Sequence, residues 1–591
     1  MKKTALSLAL VAALGLSACQ TTNSTTDAPA SQQQSQAAAF EAFSAQFIED
    51  FWRHRPEWSQ YAGYGKYDHI LTVPDAQSRV NDINFANTQL AKLAQFDLNK
   101  LPANLKTDYH LIENLLKKSI WTVNTFKSWQ WNPSNYNVAG GFAQIINSRF
   151  DDDNTKITKV LKRLENVPAY YAAAIANIDT PTLEYTQLAI SQNKGAFSVL
   201  NKDLFNKAKT SNLSDADKQL FETRFKAATA AINEYIEFLT KLEQELVANN
   251  NARSFRIGEA LYEQKFAFDI QSGYSAKEVY QKALSDKDRV TAEMLKITEQ
   301  LWPKYFANTE MPSEPQKAIS TLINHLAVKH VKRENFVEEI KKQIPELEAF
   351  IKEKDLITLD PEKPLVVRET PDYMRGFAGA SISAPGPYAK KENTYYNVTP
   401  LDNMSEEQAE SYLKEYNHWI LQILNIHEAI PGHYTQLVYS NESPSLIKSI
   451  FGNGAMIEGW AVYTERMMLE EGYGNFEPEM WLMYYKWNLR VICNTILDYQ
   501  IQVEGISKEQ GLDLLMNGAF QERAEAEGKW RRATLSQVQL TSYYTGYREI
   551  YDFREAQKAK LGDDFDLKAF HEQFLSYGSS PVKYIRELMD K

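Results

Sequence analysis

The chain has 591 residues, 43% of them hydrophobic, and 76 acidic against 65 basic side chains leave a net charge of −11. That balance argues against a nucleic-acid partner, which selects for basic surfaces. The length exceeds what one small core organises, so two lobes are the natural expectation.

Lys2 and Lys3 precede an apolar run from Ala5 to Leu16 that is too short to stay in a bilayer and ends in small residues. This is the pattern of a secretory leader over residues 1–18. Leu16-Ser17-Ala18-Cys19 resembles the bacterial lipobox, which implies lipidation of Cys19 and an N-terminal membrane anchor. Gln20, rather than Asp, after the cysteine points to the outer membrane. The expected location is therefore the bacterial cell envelope, lipid-anchored and facing the periplasm. With Cys19 lipidated, Cys493 has no disulfide partner, and within Val491-Ile492-Cys493 it reads as a small buried hydrophobe. Residues 19–38 are mostly Thr, Ser, Gln, Asn and Ala, the composition of a flexible tether. No later segment supplies the roughly 18 uncharged apolar residues of a spanning helix.

From residue 39 to 591 the dominant period is helical. Phe40, Phe43, Phe47 and Phe51 repeat every three to four residues, as do apolar residues around 111–120, 221–246 and 279–301. Ser275-x-x-Glu278 and Ser405-x-x-Gln408 are capping boxes that mark helix starts. The class is mainly α, with lobes expected over 39–364 and 365–591. Between them, Pro371, Gly379, Pro385, Gly386 and Pro387 interrupt the pattern, and Leu365-Val366-Val367 and Thr394–Val398 favour strands. A small sheet is expected there.

The chemistry concentrates in one stretch. Of nine histidines, His418, His427 and His433 fall within sixteen residues, the last two in Ile426-His427-Glu428-Ala429-Ile430-Pro431-Gly432-His433. Glu406 to Ile430 reads as one helix, with Ile420, Leu421, Ile423 and Leu424 as its buried face. A His-Glu pair at the end of a buried helix costs stability unless metal or hydrogen bonds satisfy it. In the usual zinc-hydrolase pattern two histidines four apart share a helix face, and the Glu after the first serves as base. Here the second histidine comes six positions on, which on a regular helix faces roughly 240° away. Pro431-Gly432 supplies the means to distort the helix, and a two-residue bulge there returns His433 to the face of His427. His418 falls on the opposite side. Catalytic zinc takes three protein ligands and keeps a place for water. Glu458, among apolar Met456, Ile457 and Trp460, is the candidate third ligand. Glu465, seven residues on, is either the alternative ligand or a side chain that steadies one. Arg490 offers a site for a substrate carboxylate or forms a structural ion pair.

His427 to His433 followed by Glu458-Gly459-Trp460-Ala461 resembles the signature of the bacterial domain-of-unknown-function family 885. Its members are frequently lipoproteins and resemble helical zinc peptidases of the thimet-oligopeptidase type. Gln539 with Tyr543-Tyr544-Thr545-Gly546 is similar to the family's Gln…Tyr-x-x-Gly element, and Phe570-His571 and Gly578-Ser579-Ser580-Pro581 to its closing segment. The resemblance implies a two-lobed helical zincin-like fold around a deep cleft, with a small β-sheet next to the metal helix. It also implies Zn2+ on His427, His433 and Glu458, with Glu428 as general base. Tyr543, with Tyr544 and Tyr547 as competitors, is the implied hydroxyl for the oxyanion. Asp498 stands where the family has an Asp that orients a ligand histidine. Gln500 and Gln502 replace a Gly and a His of the family pattern. The implied activity is metal-assisted hydrolysis of peptide bonds in oligopeptides. The alternative is an envelope lipoprotein that keeps the metal geometry for binding or structure, without turnover.

Overall fold

The computed structural model describes residues 28–148, 150–371, 379–388, 393–443 and 445–590, so the leader and Cys19 lie outside the described residues. Helices dominate, and among the described residues none is long and apolar enough to cross a membrane. The first, α1 (Ala28–His54), begins inside the stretch expected to be a flexible tether. Its Ala- and Gln-rich start consists of good helix formers, and lengthening a helix already anchored by buried Phe40, Phe47 and Phe51 needs no new nucleus. α2 (Ala276–Tyr305) opens with the capping box of Ser275 and Glu278.

Three apolar cores form among the described residues. One joins residues from 40–116 with Ile447 and Phe451, a second lies within 71–239, and the largest runs from Trp121 to Ile585. Packing therefore does not divide at 364/365. The helices between Tyr262 and Ile357 share the core of the C-terminal helices that carry the candidate site.

β1 (Leu365–Glu369), β2 (Ala380–Ser383) and β3 (Thr394–Val398) form one sheet in the order β1-β3-β2, with β3 parallel to β1 and antiparallel to β2. β1 and β3 are the two strand-favouring runs. β2 reads Ala-Ser-Ile-Ser and has little propensity of its own; pairing holds it, with Ala380 opposite Val398 and Ser383 opposite Tyr395. β2 is thus an edge strand. Tyr396 is fully buried, and its hydroxyl donates to Asn425 Oδ1 at 2.8 Å, which ties the sheet to the helix that carries His427.

The single helix expected over 406–430 is in fact two. α3 (Glu406–Glu415) ends as Tyr416 turns to φ −93°, ψ 52°. Asn417 then caps α4 (His418–Glu428) by accepting from the Trp419 and Ile420 amides at 3.2 and 3.3 Å. An Asn side chain offers the backbone this alternative to continuing a helix.

α5 (His433–Glu442), α6 (Gly454–Glu470), α7 (Pro478–Tyr499), α8 (Arg523–Thr534) and α9 (Ser542–Leu561) complete the surroundings of the site, with α7 packed along α2. α6 and α9 cross glycine on glycine: a Cβ on Gly459 would fall 2.3 Å from the Gly546 carbonyl carbon. The closing Ser579 braces two of these helices. Its carbonyl accepts from the Asn453 amide at the start of α6, and its hydroxyl from Gln436 of α5, both at 2.7 Å.

Candidate metal centre

The path from α4 to α5 decides where His433 points. Ala429 leaves the helix at φ −109°, ψ −91°, the Ile430–Pro431 peptide is cis, and Gly432 (φ −73°, ψ −128°) opens α5. The expected bulge within one continuous helix is corrected: one helix ends and another begins. The Gly432 amide reaches back to the Ile426 carbonyl at 3.0 Å, and Trp460 Nε1 donates to the Pro431 carbonyl at 2.9 Å, clamping the turn onto α6. Glycine is required by close approach, since a Cβ at 432 would lie 1.9 Å from the His427 carbonyl oxygen. The turn brings the two imidazoles together, ring centroids 4.8 Å apart and planes at 87°.

Glu458 meets them from α6. Its Oε2 lies 3.9 Å from His427 Nε2 and 3.4 Å from His433 Nε2, and the three ligand atoms all fall within 4.8 Å of one another. Tetrahedral zinc with nitrogen and oxygen ligands holds them about 3.4 Å apart, so the donor set fits that ion with a small contraction. Among the described residues this is the one such group of His, Cys, Asp or Glu.

Glu465 takes the other of its two expected roles. Fully buried, its Oε1 accepts from His427 Nδ1 at 2.7 Å and from Trp487 Nε1 at 3.0 Å. Occupying Nδ1 turns His427 Nε2 toward Glu458. Burial disfavours the charged form of His427, but the Glu465 hydrogen bond and charge, reinforced by Glu428 and Glu458, outweigh it and raise the ring to about 9. Burial raises Glu428 and Glu465 against the pull of the histidines. Burial also pushes Glu458 upward, but the His433 hydrogen bond and the charges of both histidines bring it below the usual carboxylate value. Three carboxylates thus converge on two imidazoles, an excess of negative charge that a divalent cation neutralises.

The centre opens onto a cavity of about 800 Å³ lined by Glu428, Tyr543, β2 residues Ala380–Ile382, and Tyr61 from the short helix Pro56–Tyr61. Tyr544 and Tyr547 do not line it. The Tyr544 hydroxyl donates to Asp286 at 2.8 Å, and the Tyr547 hydroxyl accepts from Arg466 at 3.4 Å.

Over residues 56–589 the chain matches the family described as bacterial protein of unknown function, DUF885. The chain belongs to the DUF885 family. A presumed lipoprotein of unknown function from Shewanella oneidensis is 66% identical, with a TM-score of 0.89 over 93% of this chain and 100% of that one. A presumed lipoprotein from Colwellia psychrerythraea shares the fold at 18% identity, with a TM-score of 0.75 over 94% of this chain and 99% of that one. No curated protein matches the chain.

Other residues picked out from the DUF885 pattern sit elsewhere. Asp498 does not orient a ligand histidine, because Glu465 holds that place. It is buried beside the Val538 and Leu540 amides and the Tyr262 hydroxyl. Gln502 is structural, donating to the Ala533 carbonyl at 3.0 Å and accepting from the Ile257 amide at 3.2 Å. Arg490 lines the cavity but is ion-paired, its Nη2 2.5 Å from Glu525. Burial pushes the Cys493 thiol up to about 12, too high for a nucleophile. His418 packs against Trp419 at the start of α4, away from the centre. Two participants escape sequence reasoning. Trp487 braces Glu465, and Arg532 donates to the Tyr543 hydroxyl at 2.8 Å. Neither lies in a spacing that marks a site.

Proposed function

We propose that this DUF885 protein hydrolyses peptide bonds with a zinc ion held by His427, His433 and Glu458. The observation that supports this reading best is that three ligand atoms converge in a cavity that Glu428 and Tyr543 also line. Zinc in that place supplies Lewis acidity, acidifying water and polarising a carbonyl. Glu428, its proton affinity raised by burial, accepts a proton from the attacking water and delivers it to the departing amine nitrogen. The carbon–nitrogen bond breaks, and the water oxygen ends in the new carboxyl group. Tyr543 donates its hydroxyl hydrogen to the carbonyl oxygen as that atom gains charge. The outer edge of β2, which pairs with no other strand among the described residues and whose residues line the cavity, takes an extended peptide backbone.

The reading carries with it a zincin-like cleft of the thimet-oligopeptidase type between two helical lobes, open to oligopeptides. The lipobox at Cys19 and the Shewanella protein's description as a presumed lipoprotein favour a lipid-anchored protein of the envelope, facing the periplasm from the outer membrane.

A panel of internally quenched peptides, extended to muropeptides, tests this with zinc-loaded wild type and Glu428→Gln. Wild type is expected to turn over, and the variant to lose about 10²–10⁴ in rate with its zinc content intact. Equal inertness of both across the panel favours the alternative, a zinc-holding binding lipoprotein.

A further inference from the structure

Besides the metal centre, the cavity wall carries three cations, Arg490, Lys529 and Arg532. Two of them are answered by the protein. Arg490 sits 2.5 Å from Glu525 and 3.7 Å from Glu415. Lys529 lies 3.8 Å from Glu525, and burial together with the neighbouring Arg490 drives its ammonium toward the neutral form. Arg532 differs. Its Nε and Nη2 donate to Gln539 Oε1 at 3.1 and 2.8 Å, and Nη2 also donates to the Tyr543 hydroxyl at 2.8 Å. Both partners are neutral, and no carboxylate among the described residues comes within 4.0 Å of the guanidinium. The side chain is exposed to the cavity, its plane is fixed by two neighbours, and Nη1 has no protein partner among the described residues. With Nε given to Gln539 and both Nη2 hydrogens to Gln539 and Tyr543, Nη1 is left to offer its two N–H donors to an anion, on a guanidinium that no carboxylate among the described residues ion-pairs.

Resting on the hydrolase reading above, we infer that Arg532 receives the free C-terminal carboxylate of a peptide whose scissile carbonyl lies at Tyr543. The site then cuts from the carboxyl end and releases one or two residues. Distances set that number. Tyr543 touches Arg532 Nη2 on one side and the scissile oxygen on the other, so at most three contacts of about 2.8 Å and the width of the guanidinium separate the carbonyl from a carboxylate on Nη1. Consecutive Cα atoms lie about 3.8 Å apart, so a terminus one or two residues past the scissile bond spans that gap. A C-terminal amide, or a chain that continues, leaves the guanidinium desolvated and without its partner.

The test is calorimetric binding of one pentapeptide, as the free acid and as the C-terminal amide, to the zinc-loaded protein, with cleavage products read by mass spectrometry. The acid is expected to bind wild type about tenfold tighter than the amide, and Arg532→Gln to erase that difference. Zinc content and urea unfolding equal to wild type certify an intact cavity in the variant. Equal binding of acid and amide to wild type overturns the inference. So does a preference that survives in Arg532→Gln, which assigns the carboxylate to the metal instead. Carboxylate preference without turnover of any peptide sinks the hydrolase reading and leaves Arg532 as a carboxylate site. Internal cutting of acid and amide alike does the reverse.

Discussion

Gly459 and Gly546 meet backbone to backbone where α6 crosses α9: a Cβ on Gly546 would lie 1.7 Å from the Ala455 carbonyl oxygen. Glu458 and Tyr543 stand just before these glycines in sequence, so the spacing of the two helices sets the distance from metal ligand to tyrosine. Alanine at 546 forces the helices apart. Gly546→Ala is expected to lower stability by about 1–3 kcal/mol, the usual cost of overpacking, and to weaken zinc binding because Glu458 moves with α6. Gly528→Ala is the comparison. Gly528 is exposed on α8 with nothing within 4 Å of its Cβ position. Alanine there is expected to be neutral or to stabilise by up to about 1 kcal/mol. Urea unfolding and a competitive zinc titration read both effects, and indistinguishable variants would refute the role given to the crossing.

The contact between Glu465 and His427 makes a second, independent demand on metal affinity. Glu465→Ala frees Nδ1 and lets the imidazole turn, and a loss of about 10–100-fold in zinc affinity is expected. Glu465→Gln is expected to lose less, because the amide oxygen still accepts from Nδ1. Titration against a chelator of known strength gives both constants. A Glu465→Ala protein with wild-type affinity would mean that Trp460, Pro431 and the α4–α5 turn alone hold the ring.

What can be read from the sequence follows from how local each interaction is. The helices are legible because apolar spacing is a property of neighbouring residues, and the candidate cluster because His427, Glu428, Pro431, Gly432 and His433 occupy one short stretch, with Glu458 in apolar surroundings. The start at Asn417, the strand Ala380–Ser383 and the helical turn before residue 39 are not, because capping, pairing and propagation override weak local preferences. Glu465 is legible only as two alternatives, since position on a helix face cannot say which imidazole nitrogen it meets. Asp498 and Arg532 depend on partners 7–42 residues away, as with Val538, Leu540 and Gln539, and no spacing rule reaches them.

Asp498 gives the fold a pH dependence separate from the metal. Burial raises its carboxyl from an ordinary 3.8 to about 7. The folded state thus binds this proton more tightly than the unfolded state. The contribution is fully present below about 3.8 and is lost as pH rises through about 7. Asp498→Asn keeps the shape and removes the charge. Wild type is expected to lose roughly 4 kcal/mol more than the variant as pH rises from about 3.8 to about 7. Urea unfolding of both proteins across that range isolates the difference, and parallel curves would show that Asp498 stays ionised in the fold.

Three tyrosines within five residues separate by what their hydroxyls touch. Tyr543 faces the cavity with Arg532 and Gln539 as partners, so Tyr543→Phe is expected to lower kcat by about 10²–10³ with KM little changed. Its stability should stay within about 0.5 kcal/mol of wild type, because the hydroxyl supports no buried partner. Tyr544 donates to Asp286, so Tyr544→Phe is expected to cost about 1–2 kcal/mol of stability and leave kcat alone. Tyr547→Phe removes only a 3.4 Å contact with Arg466 and should do neither. The pattern across the three variants carries more weight than any one of them. A general loosening of α9 would depress kcat in Tyr544→Phe as well, whereas a donor to the developing oxyanion depresses it at 543 alone.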